Sequence, residues 1–316
     1  MKRIGIDLGG TKTEAILIDS NGVELLRRRV PTPARDYGAI VATVAELVAE
    51  LDAAAGSACP VGVGMPGAIS SLTGGVKNAN TTVLIGKPFA QDLAAELGRP
   101  VIVENDANCF ALSEAQDGAA AGADPVFGVI IGTGTGGGVV VGGRVVRGAN
   151  AIGGEWGHNP LPWPGADEFA GRPCYCGKSG CLETYLSGAG LARTYRELGG
   201  TDLDAREVAA RAAGAEPQAA AALARYADQL ARGLASVVNV IDPAVIVLGG
   251  GLSNIGALYR DVPRLLRRYA FSDHLVTELH PARHGDSSGV RGAAWLWNAD
   301  GEPASLVSSP GRGESL

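Results

Sequence analysis

The stretch of sequence that decides the fold is IGIDLGGTKT, at residues 4–13. Apolar side chains alternate along its first five positions, which is typical of a half-buried strand, and the strand then ends in a glycine loop. Residues 15–18 and 23–26 show the same alternation. Between them, Asn21-Gly22 predicts a two-residue hairpin because both positions tolerate positive φ. The chain therefore opens with three consecutive antiparallel strands.

The same plan returns about 125 residues later. An apolar strand at residues 128–131 leads into the glycine loop 132–136, a second strand at 137–141, a Gly142-Gly143 turn and a third strand at 144–146. Two copies of one supersecondary plan predict an internal duplication, with one copy opening each of two domains.

Helices and further strands fill the intervals between these copies. Helical periodicity is clearest at residues 40–51, 89–97 and 219–240, and short apolar runs lie at residues 61–63, 101–103 and 245–248. Strands interleaved with helices predict an α/β fold with ligand sites at the strand ends. We place the domain boundary in the Ala/Gly-rich stretch 118–124.

Composition excludes several classes of protein. The 316 residues include 47 Gly, 46% are apolar, and the net charge is −6 without a long basic run, which argues against nucleic acid as a partner. The uncharged stretch 126–143 holds eight Gly in 18 residues and predicts strands joined by a loop, so no membrane partner is expected. The N-terminus fits no signal peptide, and an odd count of five Cys points to the cytoplasm and to metal binding.

The first glycine loop carries what a phosphate clamp needs. Gly9 and Gly10 let backbone N–H groups approach phosphate, Thr11 adds a hydroxyl donor, Lys12 adds charge, and Asp7 is a candidate Mg²⁺ ligand. The loop is not a Walker A motif, because a strand follows it where that motif requires a helix. Taken alone, such a loop is more often a plain tight hairpin.

Two further loops favour the phosphate interpretation. The second loop occupies the equivalent place in the duplicated copy, so the two can face each other across a cleft. The third follows the buried strand 245–248, where glycines open a helix and present bare backbone to a flat ring or a sugar. The residues assigned to ATP or phosphate in these two loops are Gly132, Thr133, Gly134, Thr135, Gly136, Gly249 and Gly250.

A cluster of metal-ligand residues lies further along the chain. Cys174, Cys176 and Cys181 supply three soft ligands within eight residues, and His158 lies sixteen residues upstream. Four N/S ligands form a closed tetrahedral site for a structural Zn²⁺. The alternative interpretation is a disulfide or reduced surface thiols.

A candidate catalytic carboxylate follows the strand at residues 101–103. Asp106 lies where the strand ends, before a predicted helix at residues 109–115. Phosphorylation of an alcohol calls for a carboxylate in reach of the attacking hydroxyl. From spacing alone, an N-cap of the following helix is the favoured interpretation of Asp106.

Four of these segments together resemble the ROK family of sugar kinases and repressors: residues 6–12, 131–138, 154–158 and 174–183. The resemblance extends over nearly the whole chain, to about Trp297. It implies the duplicated ribonuclease H-like fold of the actin and hexokinase superfamily, with ATP and sugar meeting in a cleft between two domains. It also implies a homodimer and a last helix, near residues 289–297, that returns to the N-terminal domain.

Site roles follow from the resemblance residue by residue. It implies that Asp106 is the catalytic base and that the metal-bound ring of His158 also meets a sugar hydroxyl through its other nitrogen. The residues expected to hold the sugar are Asn80, Asn105, Asp106, Glu155, His158 and Glu183.

The predicted domains are 1–118 with 289–298, and 119–288 with the zinc-binding loop, followed by a disordered tail at 299–316. Family repressors carry a DNA-binding region ahead of this module. The first strand begins at residue 3 or 4 here, which favours the kinase branch.

The choice of sugar depends on two sets of residues. Residues 157–163 and 77–80 are similar to bacterial fructokinases, whereas residues 105–114 and 283–286 are similar to N-acetylglucosamine kinase. We expect ATP- and Mg²⁺-dependent phosphorylation of fructose at the 6-hydroxyl, giving fructose 6-phosphate and ADP, with mannose as a second substrate. The alternatives are N-acetylglucosamine kinase, glucokinase, and a non-enzymatic sugar sensor.

Overall fold

The computed structural model describes residues 1–79, 81–298 and 300–303. Within these ranges the strands are β1 (Arg3–Leu8), β2 (Lys12–Ile18), β3 (Glu24–Pro31), β4 (Val61–Met65), β5 (Ala68–Ile69), β6 (Val76–Lys77), β7 (Val101–Asn105), β8 (Val126–Ile131), β9 (Thr135–Val141), β10 (Arg144–Val145), β11 (Val245–Gly249) and β12 (Glu278–Pro281). The α-helices are α1 (Tyr37–Ala55), α2 (Phe89–Leu97), α3 (Asp106–Gln116), α4 (Glu183–Leu186), α5 (Gly188–Glu197), α6 (Ala205–Ala213), α7 (Pro217–Ile241), α8 (Ala257–Tyr269) and α9 (Ser288–Trp295). The α/β prediction is confirmed.

The two large sheets repeat one strand order. The strand order of the first sheet is β3-β2-β1-β4-β7, and that of the second is β10-β9-β8-β11-β12. When the five strands of each sheet are numbered in chain order, both sheets have the order 3-2-1-4-5. In the first sheet, β2 is antiparallel to β1 and β3, whereas β4 and β7 run parallel to β1. In the second, β11 is likewise parallel to β8 and β12. The duplication therefore covers all five strands, as in the ribonuclease H-like fold of the actin and hexokinase superfamily.

The chain divides into two compact units. Among the described residues, the first comprises the ranges 1–122, 138–154 and 286–303, and the second comprises residues 123–137 and 155–285. The predicted boundaries placed residues 138–154 in the second domain, whereas the structure groups them with the first unit. Residues 289–298 belong to the first unit.

The core of the first unit depends on glycine where α9 packs on the sheet. A methyl group at Gly5 of β1 would lie 2.1 Å from the carbonyl oxygen of Val290, and one at Gly62 of β4 would lie 1.9 Å from that of Ala293. Any side chain at either position would therefore push α9 off the sheet. The last helix is a part of the core formed by the first strands.

The first hairpin differs from its prediction. β2 ends at Ile18 and β3 begins at Glu24, so the connection spans residues 19–23. The Asp19 carboxylate accepts hydrogen bonds from the backbone N–H groups of Asn21 (2.8 Å) and Val23 (2.9 Å), and of the Asn21-Gly22 pair only Gly22 has positive φ. The prediction of a two-residue turn was wrong because the side chain of Asp19 closes a longer one. The Gly142-Gly143 turn is confirmed, with both φ angles positive.

Two other local predictions need correction. The glycines after β11 open a 3₁₀ turn at Gly251–Asn254, and the next α-helix begins only at Ala257. Residues 300–303, predicted to be disordered, form a turn in which Asn298 accepts hydrogen bonds from the backbone of Asp300 and Glu302. Residue 299 and residues 304–316 of the predicted tail lie outside the described residues.

None of the helices in the described ranges combines the length and the apolar character that crossing a bilayer requires.

Candidate functional site

Asp106 lies at the junction of β7 and α3 and is the first residue of the helix. The N-cap is Asn105, whose side-chain oxygen accepts from the N–H groups of Ala107 (2.9 Å) and Asn108 (3.3 Å). The N-cap interpretation of Asp106 is therefore wrong, because the helix begins three residues earlier than its apolar pattern indicated. One Asp106 oxygen accepts from Ala107 N–H at 2.9 Å, and burial raises the pKa of its carboxyl above the usual range.

Asn105 is predicted to hold a sugar hydroxyl, but most of the hydrogen-bonding capacity of its side chain is used within the protein. Besides capping α3, its side-chain N–H donates to the carbonyl oxygen of Gly67 at 3.1 Å. It thereby ties the loop after β4 to the end of β7. The buried carboxylate of Glu104 supports this junction by accepting from Asn105 N–H at 2.8 Å and from the Asn108 side chain at 3.0 Å. Asn80, another predicted sugar residue, lies outside the described residues.

Asp7 stands at the end of β1, directly opposite Glu14 of β2. Glu14 is buried and paired with Arg27 and Arg29, whose Nε lies 2.8 Å from a Glu14 oxygen. Burial, together with the neighbouring carboxylates of Asp106 and Glu14, raises the pKa of Asp7 to about 6. A half-buried carboxylate beside other carboxylates is a suitable donor for a hard divalent cation.

The first glycine loop is a tight connection between β1 and β2. Gly9 N–H donates to the carbonyl oxygen of Lys12 at 3.0 Å. Thr32 supports the loop from the far side: its N–H donates to the Thr11 carbonyl (3.0 Å) and its hydroxyl to the Gly9 carbonyl (2.8 Å). Gly10, Thr11 and Lys12 are exposed, which a phosphate clamp requires.

The second glycine loop is held by the segment that follows the cysteine cluster. Gly132 N–H donates to the Gly134 carbonyl at 3.0 Å, and the Gly132 carbonyl accepts from Gly188 N–H at 2.7 Å. Thr135 N–H donates to a carboxylate oxygen of Glu183 at 3.0 Å. The loop is therefore fastened at both ends.

A cavity of about 1490 Å³ lies within the second unit, and two of the glycine loops border it. Its wall includes Gly132 and Thr133 from the second loop and Gly251 and Leu252 from the third. Small apolar residues of α6 and α7 line another part, and the charged residues are Asp204, Arg206, Arg260 and Asp261. A mostly apolar cavity with a few polar groups beside bare backbone suits a nucleoside with a phosphate chain.

The third loop reaches this cavity through an unusual backbone conformation. Gly250 has φ 82° and ψ 171°, and a methyl group there would lie 2.5 Å from the carbonyl oxygen of Ile131. Only glycine fits such a position. Gly250 thus turns the chain after β11, and its neighbour Gly251 borders the cavity.

The predicted metal ligands lie together. One ligand atom from each of His158, Cys174, Cys176 and Cys181 falls within 4.8 Å of the others. The Cys176 and Cys181 sulfurs are 3.6 Å apart, and His158 Nδ1 lies 3.7 Å from Cys174 Sγ. A tetrahedral zinc with bonds of about 2.3 Å to sulfur needs sulfur atoms about 3.8 Å apart. All five cysteines are free thiols, so the geometry suits a metal better than a disulfide.

The other nitrogen of His158 has a partner that the sequence analysis did not name. Nε2 lies 3.1 Å from the hydroxyl of Tyr175, and the two rings are edge to face with centroids 5.2 Å apart. The prediction gave this nitrogen to a sugar hydroxyl. In the structure, the position next to this nitrogen is taken by the hydroxyl of Tyr175, whose side chain is 82% exposed.

His158 is the last residue of a 3₁₀ turn, Trp156–His158. Glu155 is exposed and directly precedes this turn. The buried Trp156 fixes the turn: its indole N–H donates to the Gly136 carbonyl at 2.9 Å, and its ring packs edge to face on Phe127. Residues on both sides of the candidate metal ligands, Trp156 and Glu183, therefore contact the second glycine loop.

Sequence reasoning missed two buried arginines that hold this region. Arg172 donates to the carbonyl oxygen of Thr184 (2.9 Å), and its guanidinium lies over the Tyr185 ring, 4.5 Å from the centroid. Arg232 of α7 pairs with Glu168. No local sequence pattern predicts the contact between Arg232 and Glu168, because the two residues are 64 positions apart.

Comparisons with known proteins agree with this architecture. The chain belongs to the ROK family, whose model matches residues 3–300. It is 40% identical over 296 residues to an N-acetyl-D-glucosamine kinase of Yersinia enterocolitica, covering 92% of this chain and 98% of the relative.

Two solved structures are also similar. One is a ROK hexokinase from Thermus thermophilus, with TM-score 0.83 and 35% identity over 93% of this chain and 97% of that one. The other is a ROK family glucokinase from Streptomyces griseus in complex with glucose and AMPPNP, with TM-score 0.73 and 28% identity over 94% and 99% of the two chains.

Proposed function

We propose that this protein is an ATP-dependent sugar kinase that phosphorylates the 6-hydroxyl of N-acetylglucosamine. The observation that carries the proposal is the cavity of the second unit, where Gly132, Thr133 and Gly251 border one space large enough for a nucleotide. Relatives that are named kinases and are matched over nearly their whole length support the same activity.

The sugar is assigned from the relatives. The sequence analysis favoured fructose on residues 157–163 and 77–80, and none of the reported relatives supports that choice. The alternative, N-acetylglucosamine kinase, fits the 40% identical relative. Glucose is the second candidate, because the Streptomyces griseus structure contains it.

Each proposed role follows from the chemistry of the residue. Asp106 accepts the proton of the 6-hydroxyl as its oxygen attacks the γ-phosphorus and ADP leaves, and its raised pKa suits a general base. Glu155, Glu183 and Asn80 supply acceptors and donors for the other sugar hydroxyls, and Asn105 contributes the second hydrogen of its side-chain amide, since the first bonds Gly67. His158 contacts the sugar through Nε2. The hydrogen bond between Nε2 and the Tyr175 hydroxyl must therefore break when sugar binds.

Two metal ions belong to the proposal. Mg²⁺ would be held with the help of Asp7 and would neutralise phosphate charge during transfer. Zn²⁺ would be held by His158, Cys174, Cys176 and Cys181; with all four positions taken by protein it would have no open position for substrate and would orient the His158 ring. The cytoplasmic location and the homodimer remain predictions.

A panel assay tests the proposed function. ADP release is measured with ATP and Mg²⁺ against N-acetylglucosamine, glucose, mannose and fructose. The proposal predicts the highest kcat/KM for N-acetylglucosamine. Faster turnover of fructose would overturn the substrate, and sugar binding without ADP release from any of the four would favour the sensor alternative.

A further inference from the structure

We propose that Glu183 is a positioning residue for nucleotide binding, because its carboxylate fastens the second glycine loop in the conformation that borders the cavity. The inference rests on the proposed function, since it assigns that cavity to ATP. The family resemblance implies a role for Glu183 toward sugar alone, and this role toward the nucleotide is additional.

The contact between Glu183 and the loop is close. A carboxylate oxygen of Glu183 accepts the Thr135 N–H at 3.0 Å, and a methyl group at Gly134 would lie only 2.7 Å from the same oxygen. The carboxylate thus packs directly on loop backbone. Gly132 and Thr133, the residues just before this contact, border the cavity.

Glu183 is itself held in place by the segment around the metal cluster. It is the first residue of α4 and comes two positions after Cys181. The next residue, Thr184, donates its hydroxyl to the Cys181 carbonyl at 2.7 Å and accepts from Arg172 at its own carbonyl, at 2.9 Å. The carboxylate therefore has a rigid base from which to hold the loop.

A glycine loop needs such an anchor for a physical reason. Glycine loses more conformational freedom on ordering than any other residue, so a loop with glycine at 132, 134 and 136 costs entropy when it closes on phosphate. A hydrogen bond from a backbone N–H to a charged carboxylate is about twice as strong as a neutral one. By ordering the loop beforehand, Glu183 lowers the cost of nucleotide binding.

The test is the binding of ADP measured by calorimetry in the absence of sugar. Glu183→Ala loses the acceptor, and we expect the Kd of ADP to rise about tenfold. Glu183→Asp keeps the charge but is one methylene shorter and cannot reach Thr135, so it should weaken ADP binding similarly. Glu183→Gln keeps an acceptor at the same length but without the charge, so it should bind ADP more tightly than Glu183→Ala and less tightly than wild type.

Glu155→Ala is the matched control, because Glu155 has the same proposed role toward sugar. It should raise the KM for sugar and leave the Kd of ADP unchanged. Metal content and Tm are measured for every variant, so that loss of the metal or of the fold is recognised. Wild-type ADP affinity in folded Glu183→Ala or Glu183→Asp would overturn the inference and leave the proposed function intact. Wild-type protein that binds no ADP would overturn the proposed function and, with it, the inference.

Discussion

The carboxylate of Glu168 and the guanidinium of Arg232 form a buried bidentate pair. Both nitrogen–oxygen distances are 2.9 Å, and each side chain is only 5% exposed. Glu168 also accepts from Gln229 at 2.7 Å, and Arg232 donates to the Trp163 carbonyl at 2.9 Å. The pair therefore joins the loop between His158 and Cys174 to the long helix α7.

Removing the charge of Glu168 should destabilise the protein. Glu168→Gln leaves the buried guanidinium of Arg232 without its main partner, and we expect a loss of about 3 kcal/mol in the free energy of unfolding at pH 7. Urea unfolding measures this loss. Glu50→Gln, which removes an exposed partner of Arg28, is the control and should change stability by less than about 1 kcal/mol.

The same pair should contribute to the acid dependence of stability. Burial raises the pKa of Glu168, but hydrogen bonds from Arg232, Gln229 and the backbone of Gly165 outweigh it and lower the pKa to about 2. Because this pKa lies below the ordinary value of 4.5, the stabilisation is complete above pH 4.5 and is lost as the pH falls toward 2. Wild type should lose stability more steeply than Glu168→Gln in that range. Parallel curves would contradict this account of the pair.

Two adjacent glycines should differ sharply in their tolerance of alanine. Gly250→Ala forces a side chain into a Gly-only backbone region and against the Ile131 carbonyl, and we expect a loss of about 3 kcal/mol and weaker ADP binding. At Gly251 a methyl group would meet no atom of the described residues within 4 Å. The free energy of unfolding of Gly251→Ala should therefore lie within about 0.5 kcal/mol of the wild-type value. Equal losses of stability would show that Gly250 does not set the turn.

Metal content tests the cysteine cluster. Protein purified without chelator should carry one zinc per chain, and Cys176→Ser should lose it and show a lower Tm, because a three-ligand site binds zinc less tightly. Cys59→Ser changes a buried cysteine outside the cluster and should keep its zinc. Wild-type protein without zinc would refute the assignment.

Tyr175 should tune that metal site through His158. When Nδ1 binds the metal, Nε2 carries the ring proton, and this N–H donates a hydrogen bond to the Tyr175 hydroxyl. Tyr175→Phe removes this acceptor, and we expect zinc to be lost to a competing chelator about tenfold more readily. The same variant should bind sugar at least as well as wild type, since Nε2 is then open to a sugar hydroxyl. Unchanged zinc retention would show that Tyr175 does not orient the ring.

The sequence predicted the duplicated fold because each copy carries a local pattern of strand, glycine loop and turn. The candidate metal cluster was predicted because three cysteines lie within eight residues and the histidine lies sixteen residues upstream. The start of α3 was missed since Asn105 caps it with its side chain, ahead of the apolar pattern. The contact of Glu183 with Thr135 was missed because it joins residues 48 positions apart, which no periodicity records.

The central claim is that Asp106 serves as the base in phosphorylation of N-acetylglucosamine, and turnover of Asp106→Asn tests it most directly. Asparagine keeps an oxygen that can accept the Ala107 N–H, so the fold and the binding of ADP should be retained. ADP release with N-acetylglucosamine and ATP should fall by about 10²- to 10⁴-fold. Turnover close to wild type in a folded variant that still binds ADP would contradict the account.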